Sequence, residues 1–307
     1  MQDAVIKTLI YFDLFDYPLT KEELFKFCWK FRIEDKEKLN ACLISLVDNG
    51  KIIFKNSFFF LPGRENLIAI RQRLVVYSEL KLRRARLAAK LICHVPFLRA
   101  IFVCNSVSAE QAKSDSDIDF FIITAPNRVW LVRFFTNIIL RLFGLRTYGQ
   151  KRANRVCLSF YLDEAHLDFL PWRLLPDDIY LAYWLCQLLP IYNTDDYYRK
   201  IWAANSWARD LVPNVKLDDY LFMVENGRIG KWWKNLWQKM WAGDYGDLLE
   251  KQAKILQWQR LKSSLKDAAA CADSAVIIKD GTIKLHENDR REAYQQKWLT
   301  RIKSFGG

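Results

Sequence analysis

An acidic segment that leads directly into an apolar one constrains the fold of this chain more than any other feature. Asp115, Asp117 and Asp119 occupy alternate positions and are followed by the apolar run 120–123. A short run rich in Phe and Ile predicts a buried strand, along which side chains two residues apart project from the same face. Carboxylates this close together repel one another unless a cation lies beside them. The segment therefore predicts a cation site, and the alternative is an acidic strand edge in solvent.

Two more strands are predicted around this segment. The run 100–104 comes before it and ends at Asn105-Ser106, and the run 155–162 comes after it. A helix is predicted over 128–144, between the second strand and the third. Strands and a helix in this order predict a small mixed sheet that carries the acidic residues.

This arrangement resembles the signature of the DNA polymerase β-like nucleotidyltransferase superfamily. That signature is a strand, a Gly-Ser turn, a short spacer and Asp-x-Asp on the next strand. Here Asn105-Ser106 stands at the turn and Asp117-Ile118-Asp119 at the acidic pair. The resemblance covers residues 97–165, and the layout is similar to bacterial proteins that join an N-terminal winged-helix-like segment to such a core. It implies an α+β fold around a small mixed-sheet nucleotidyltransferase core.

The resemblance also implies a reaction, in which a nucleoside monophosphate passes from an NTP to a hydroxyl acceptor. Asp117 and Asp119 would be the catalytic and metal-binding residues, holding Mg²⁺ or Mn²⁺ that is shared with substrate phosphates. Asp115 would be an outer acid at the start of the strand. The acceptor stays open: an RNA 3′ end or another polyanion, a small molecule such as an aminoglycoside, or a protein side chain.

Nucleotide-binding residues follow from the same resemblance. Asn105 and Ser106 would hold the β- and γ-phosphates through backbone N–H groups and the serine hydroxyl. Lys151 and Arg152 precede the third strand and are candidate contacts for the triphosphate or the acceptor. Simple solvation of these two cations is the alternative.

Two positions depart from the family pattern. Asn105 replaces the glycine of the turn, and Asn is the next residue most tolerant of left-handed backbone geometry. The third carboxylate, which many family members carry early on the next strand, has no counterpart in 156–161. Asp163, Glu164 or Asp168 could replace it only if that strand ended earlier. The alternative function is therefore a catalytically inactive nucleotide sensor or transcriptional regulator.

Positive charge is concentrated on both sides of the acidic segment. Residues 63–100 hold nine basic and two acidic side chains, and residues 126–156 hold seven basic side chains and no acid, while residues 1–62 are neutral. Such a distribution favours an anionic ligand, either a triphosphate or a nucleic acid. Solvated helix faces without a partner are the alternative.

The chain divides into four predicted parts. Residues 1–62 contain three helices and a hairpin, an order typical of a winged-helix module, although its zero net charge predicts weak DNA binding and leaves packing or dimerisation as the alternative. Residues 63–96 form a basic connecting helix and residues 97–170 the nucleotidyltransferase core. Residues 171–307 are predicted to be mainly helical, with core packing as the role of their tryptophan run, Trp232, Trp233, Trp237 and Trp241.

Composition restricts the location of the protein. The N-terminal segment contains charged residues that exclude a signal peptide, and the longest apolar run, 129–145, is interrupted by Arg133, Asn137 and Arg141. The seven cysteines contain no C-x-x-C pair, so reduced thiols are predicted. A soluble cytoplasmic protein with no membrane partner is expected.

Overall fold

A six-stranded mixed β-sheet forms the centre of the molecule in the computed structural model, which describes residues 1–217, 223–261, 263–270, 276–285 and 289–305. Its strands are β3 (Leu98–Cys104), β4 (Ile118–Thr124), β5 (Val156–Asp163), β6 (Leu189–Asn193), β7 (Val276–Lys279) and β8 (Thr282–Leu285). Their spatial order is β6-β3-β4-β5-β8-β7. Among the pairings of these six described strands, only that of β4 with β5 is parallel. A mixed α+β fold is therefore confirmed.

Helices pack around this sheet, and the first four of them precede it in the chain. The N-terminal elements are α1 (Gln2–Asp13), α2 (Lys21–Phe27), α3 (Lys36–Asp48), β1 (Ile53–Lys55), β2 (Phe58–Phe60) and α4 (Leu67–Ile92). Within and after the first sheet strands come α5 (Asn105–Ser108), α6 (Val129–Leu142), α7 (Ile179–Cys186), α8 (Tyr197–Ala204) and α9 (Ser206–Leu211). The remaining helices are α10 (Arg228–Met240), α11 (Gly243–Arg260), α12 (Ser263–Ala270) and α13 (Arg291–Phe305).

The N-terminal part has the predicted three helices and hairpin. The Thr20 side chain accepts a hydrogen bond from the Glu23 backbone N–H, and the Glu23 carboxylate accepts one from the Thr20 N–H, so a capping box is present at the start of α2. The hairpin is antiparallel, with Ile53 opposite Phe60. The designation of this part as a winged helix stays a prediction.

The sheet separates two apolar layers because its strands alternate. On β3, Ala100 and Phe102 face one core and Ile101 and Val103 face the other. The first core is filled mainly by α1, α2, α3, α7, α8 and α9 with Trp298 of α13, and the second mainly by α4 and α6. Asp119 alternates with Ile118 and Phe120 and therefore belongs to the first face.

The C-terminal part contains strands of the sheet as well as the predicted helices. Helix α7 ends at Cys186, and Leu189–Asn193, in the part predicted to be mainly helical, is the edge strand β6. The apolar run continues from helix into strand, so composition alone does not mark the change, whereas Pro190 is compatible with an edge. Strands β7 and β8 join the opposite side of the sheet through β5.

Two of the tryptophans predicted to lie in the core are exposed. Trp232 and Trp233 on α10 are 62% and 47% exposed, whereas Trp237 and Trp241 are half-buried. Trp241 stacks on Phe135 of α6 with 5.3 Å between ring centroids. The prediction of core packing is therefore wrong for Trp232 and Trp233, and it holds in part for Trp237 and Trp241. The reason is that only one side of α10 faces the protein.

Six cysteines are free, and Cys271 lies outside the described residues. None of the described helices combines the length and apolarity that crossing a membrane requires.

Candidate functional site

The turn after β3 has the backbone geometry that the sequence predicts for it. Asn105 has φ +59°, a left-handed value that Asn tolerates better than most residues with a side chain. Its side-chain oxygen accepts a hydrogen bond of 3.0 Å from Trp184 Nε1, and its amide group is hydrogen-bonded to the Asp119 carboxylate. Asn105 therefore preserves the turn and adds a side chain that holds the acid in place. Ser106 follows in α5 and is half-buried.

Asp117 and Asp119 come together with Cys157 from the neighbouring strand. One ligand atom from each of the three lies within 4.8 Å of the other two. The parallel register sets Cys157 directly opposite Asp119. Asp117 immediately precedes β4, one residue earlier than its predicted place on the strand, and the two carboxylates still meet. Asp117 and Asp119 are called the acidic pair below.

Burial and mutual repulsion disfavour the charged form of the acidic pair. Burial and the Asp117 charge raise the pKa of Asp119 to about 7, against hydrogen bonds from Asn105 and Cys157 that lower it. Burial also raises the pKa of Asp117, while the charges of Arg152, Arg146 and Lys81 lower it. The pair thus lacks enough compensating positive charge from the protein alone.

Cys157 lies early on β5, opposite Asp119, and is the third side chain of this cluster. Burial and the nearby carboxylates raise the pKa of its thiol to about 12, so it is neutral at physiological pH. Asp163 does not substitute, since it lies opposite Thr124 at the far end of β4 and accepts hydrogen bonds from Ala165 and His166. Two carboxylates and one thiol make up the cluster.

A divalent cation fits the acidic pair better than it fits the thiol. Carboxylate oxygens are the preferred ligands of Mg²⁺ and Mn²⁺, and a cation between Asp117 and Asp119 would offset the repulsion that raises both pKa values. A neutral thiol is a poor ligand for these hard cations. Asp117 and Asp119 would therefore hold the ion, and its remaining ligands would come from water and substrate.

Lys81 of α4 fixes the two loops that border the acidic pair. It is 1% exposed, and its Nζ donates to the carbonyl oxygens of Ser114 at 3.2 Å and Ser116 at 2.8 Å and to Oδ1 of Asn154 at 2.7 Å. The loop with Ser114 and Ser116 also carries Asp117, and the loop with Asn154 also carries Arg152. The sequence does not indicate this role of Lys81, because a lysine in a basic helix is expected to be solvated.

The other predicted site residues divide into two groups. Arg152 and Arg146 both lie near enough to lower the pKa of Asp117. The sequence predicts a site role for Arg152 and none for Arg146. Lys151 is exposed and is not among the charges that act most strongly on either acid of the pair. Asp115 is exposed in the loop before β4, outside the acidic cluster.

Many of the basic residues beside the acidic segment are used inside the fold. Arg71 is paired with Glu23 at 2.8 Å and Glu110 at 2.7 Å, and its guanidinium lies 3.6 Å from the centre of the Tyr17 ring. Arg128 is paired with Asp247 at 2.6 Å. These pairings reduce the positive surface that the charge count predicts for a polyanion.

A cavity of about 430 Å³ opens beside the acidic pair. It reaches Asn105, Ser106 and Asp119 and continues between α1, α7 and α13. Its wall is largely aromatic and includes Tyr11, Phe12, Phe15, Phe160, Phe169, Trp172, Tyr180, Trp184 and Tyr294. This space, called the aromatic cavity below, was not predicted, because its walls come from segments far apart in the sequence.

Comparison with protein-family models, curated proteins and solved structures finds no match to this chain.

Proposed function

We propose that this protein is a metal-dependent nucleotidyltransferase, which moves a nucleoside monophosphate from an NTP to a hydroxyl acceptor. The observation that carries the proposal is the half-buried acidic pair beside the left-handed Asn105 turn. Holding two half-buried carboxylates side by side is costly, and a bound Mg²⁺ or Mn²⁺ offsets that cost. Such an ion, when bound, supplies positive charge for the transferring phosphoryl group.

The residues of the site have separate tasks in this reaction. Asp117 and Asp119 hold the cation, and Ser106 with the backbone of its turn faces the outer phosphates. Arg146 and Arg152 supply positive charge on the Asp117 side, where the leaving pyrophosphate gathers negative charge. The acceptor oxygen forms a bond to the α-phosphorus, the bond to the bridging oxygen breaks, and the hydroxyl proton passes to solvent.

An inactive nucleotide sensor is a second candidate, favoured by one observation. Cys157 occupies the place of the acid that would help to activate the acceptor hydroxyl, and its thiol is neutral. A protein with this substitution would retain cation and nucleotide binding and lack turnover.

Pyrophosphate release separates the two candidates. The protein is incubated with each labelled NTP, Mg²⁺ or Mn²⁺ and a whole-cell extract, and pyrophosphate and transferred label are measured. The enzyme is expected to release pyrophosphate, and Asp117→Asn with Asp119→Asn to abolish the release. Asp115→Asn is the matched control, because this neighbouring acid is exposed outside the cluster. Nucleotide binding without pyrophosphate would favour the sensor.

A further inference from the structure

Helix α10 turns a stripe of large apolar side chains towards solvent. The stripe consists of Ile229, Trp232, Trp233, Leu236 and Met240, all of which are exposed, from 83% for Ile229 to 37% for Leu236. Their spacing, i, i+3, i+4, i+7 and i+11, sets them on one side of the helix. A surface helix ordinarily buries such a stripe, and a continuous apolar patch in solvent marks an interaction site. These five side chains are called the outer stripe below.

The opposite side of α10 is fixed to the protein by polar side chains. Lys234 is buried, and its Nζ donates to the Leu98 carbonyl oxygen and to the Tyr192 hydroxyl, the latter at 3.0 Å. The Gln238 side-chain oxygen accepts a hydrogen bond of 3.1 Å from the Phe97 N–H. Turning the outer stripe inwards would break these bonds and leave buried polar groups without partners, which is costly. The fold therefore holds the stripe outwards.

Positive charge lies along one border of the outer stripe. Arg228 precedes Trp232 by four residues, and Lys239 follows Leu236 by three, so both cations are neighbours of the stripe on the helix surface. Lys231 lies on the same flank. All three cations are exposed, and α10 contains no acidic residue. This flank is complementary to a surface of negative charge.

An anionic lipid surface matches both features of α10. Tryptophan rings concentrate at the boundary between lipid headgroups and acyl chains, and lysine and arginine attract anionic headgroups while their methylene groups lie against apolar surface. Helices that lie in the plane of a membrane surface combine these residue types on adjoining faces. A second copy of the chain fits less well, because a two-fold dimer through the outer stripe would bring the cations of both copies together.

We propose that α10 is a membrane-contact helix, whose outer stripe enters the headgroup region of an anionic bilayer while Arg228, Lys231 and Lys239 lie beside the lipid phosphates. The contact is reversible, since a single helix of 13 residues inserts only a few side chains. It differs from crossing a membrane, for which none of the described helices is suited. This proposal does not depend on the proposed transferase activity.

Vesicle sedimentation tests the contact with the full chain. The protein is mixed with vesicles of phosphatidylcholine alone, or of phosphatidylcholine and phosphatidylglycerol in equal parts, and the bound fraction is measured after centrifugation. We expect binding to the anionic vesicles to be tighter by about tenfold or more, because each cation near an anionic surface contributes about fivefold. Raising the salt to about 1 M should weaken this preference by screening.

Trp232→Ser with Trp233→Ser removes the aromatic part of the outer stripe. Both rings are exposed, so the variant is expected to fold, and its affinity for the anionic vesicles should fall by about tenfold or more because less apolar surface is buried. Leu80→Ser with Leu87→Ser is the matched control, since these leucines are exposed on α4, another basic helix. The control is expected to bind as the original does.

Two further readouts separate charge from apolar contact. Arg228→Gln with Lys239→Gln keeps the outer stripe and should lower the preference for anionic over neutral vesicles by about tenfold to thirtyfold. Vesicles with brominated acyl chains should quench part of the tryptophan fluorescence of the original protein, and much less in the variant without Trp232 and Trp233.

Several outcomes would overturn the proposal. These are no binding to anionic vesicles, equal binding to neutral ones, unchanged affinity in the tryptophan variant, or an equal loss in the α4 control. Sedimentation velocity tests the other occupant of the stripe. A dimer that dissociates on substitution of Trp232 and Trp233, without vesicle binding, would assign the outer stripe to a second copy of the chain instead.

Discussion

Cys157 is the residue that most directly limits the chemistry of the site. It stands opposite Asp119 on the neighbouring strand, where a carboxylate would complete a set of three. Cys157→Asp is expected to tighten Mg²⁺ binding about tenfold or more, because the number of charged ligands sets the affinity of oxygen-ligand cation sites. The measurement is Mg²⁺ titration by calorimetry, with pyrophosphate release as a second readout.

Cys157→Ser is the matched control for this prediction, because it changes the sulfur for a hydroxyl and adds no charge. The metal-free Cys157→Asp protein should also be less stable than the original, since a third buried carboxylate repels the other two. Equal Mg²⁺ affinity in the Asp and Ser variants would show that the position does not face the cation.

The acidic pair predicts a pH dependence with a definite sign. Folding raises the pKa of Asp117 and Asp119 above their unfolded values, to about 7 for Asp119. Between the ordinary carboxyl pKa of about 4 and about 7 the folded chain binds more protons than the unfolded one, so these groups lower stability as the pH rises. Mg²⁺ requires the deprotonated pair, and its stabilising effect should therefore grow with pH.

Thermal unfolding with and without Mg²⁺ checks this dependence. The rise in Tm on adding Mg²⁺ is expected to be larger at about pH 8 than at about pH 6. The double variant Asp117→Asn with Asp119→Asn should show neither the rise nor its pH dependence. A Tm rise that is larger at the lower pH would contradict the assignment of the cation to this pair.

At the scale of elements, α4 acts on the site through Lys81. Lys81→Met keeps most of the side-chain volume and leaves the oxygens of Ser114, Ser116 and Asn154 without this donor. The expected cost is about 1–3 kcal/mol in the free energy of unfolding, together with a higher KM for the NTP because the loops that carry Asp117 and Arg152 loosen. Denaturant unfolding and steady-state kinetics measure the two effects. Arg83→Met on the exposed side of the same helix should change neither, and equal effects from both would refute the role of Lys81.

The exposed face of α10 leads to a different expectation. Trp232 and Trp233 lie largely in solvent, so replacing both with Ser should change the free energy of unfolding by no more than about 0.5 kcal/mol per residue. Trp202→Ala on α8 is the contrast, since this side chain is 2% exposed and its loss should cost about 3–5 kcal/mol. Denaturant titrations of the two variants provide the comparison. A large loss in the α10 variant would mean that these side chains are buried in solution.

The sequence predicts elements best where the signal is local. The bounds of β4 follow from the run 118–124 itself, and the left-handed turn follows from Asn105 at a known place in a motif. β6 was missed because an apolar run of this length fits a helix or a strand, and only its pairing with β3 decides. The parts of the site that depend on tertiary contact, Lys81 and Tyr11 among them, have no local signal at all.

At the scale of the whole molecule, the two ends of the described chain meet across the aromatic cavity. Trp298 Nε1 of α13 donates to the Lys7 carbonyl oxygen of α1 at 2.9 Å, between residues 291 positions apart. The Trp298 ring also contacts Trp29 edge to face at 5.5 Å. The cavity thus depends on α13 more than the acidic pair does, since the pair is positioned by β4, β5 and the hydrogen bonds of Lys81 on α4.

Trp298→Ala should therefore separate the two parts of the site. Removing a side chain that is 6% exposed is expected to cost about 3–5 kcal/mol in the free energy of unfolding and to loosen α13 from α1. Mn²⁺ binding by the acidic pair should persist at a temperature where the variant stays folded, whereas transfer to an acceptor should fall. Simultaneous loss of both in a folded variant would show that the pair, too, depends on α13.

The distance between the acidic pair and α13 along the chain has a consequence for synthesis. A ribosome adds about 5–20 residues per second, so the segment from Asp119 to Arg291 takes on the order of ten seconds or more to make. During that interval the strands that carry the acidic pair exist while the aromatic side chains of α1 and α7 lack the helix that covers them. A growing chain therefore acquires its cation-binding residues well before the neighbouring cavity closes, and until then it presents an open aromatic surface to the surrounding solution.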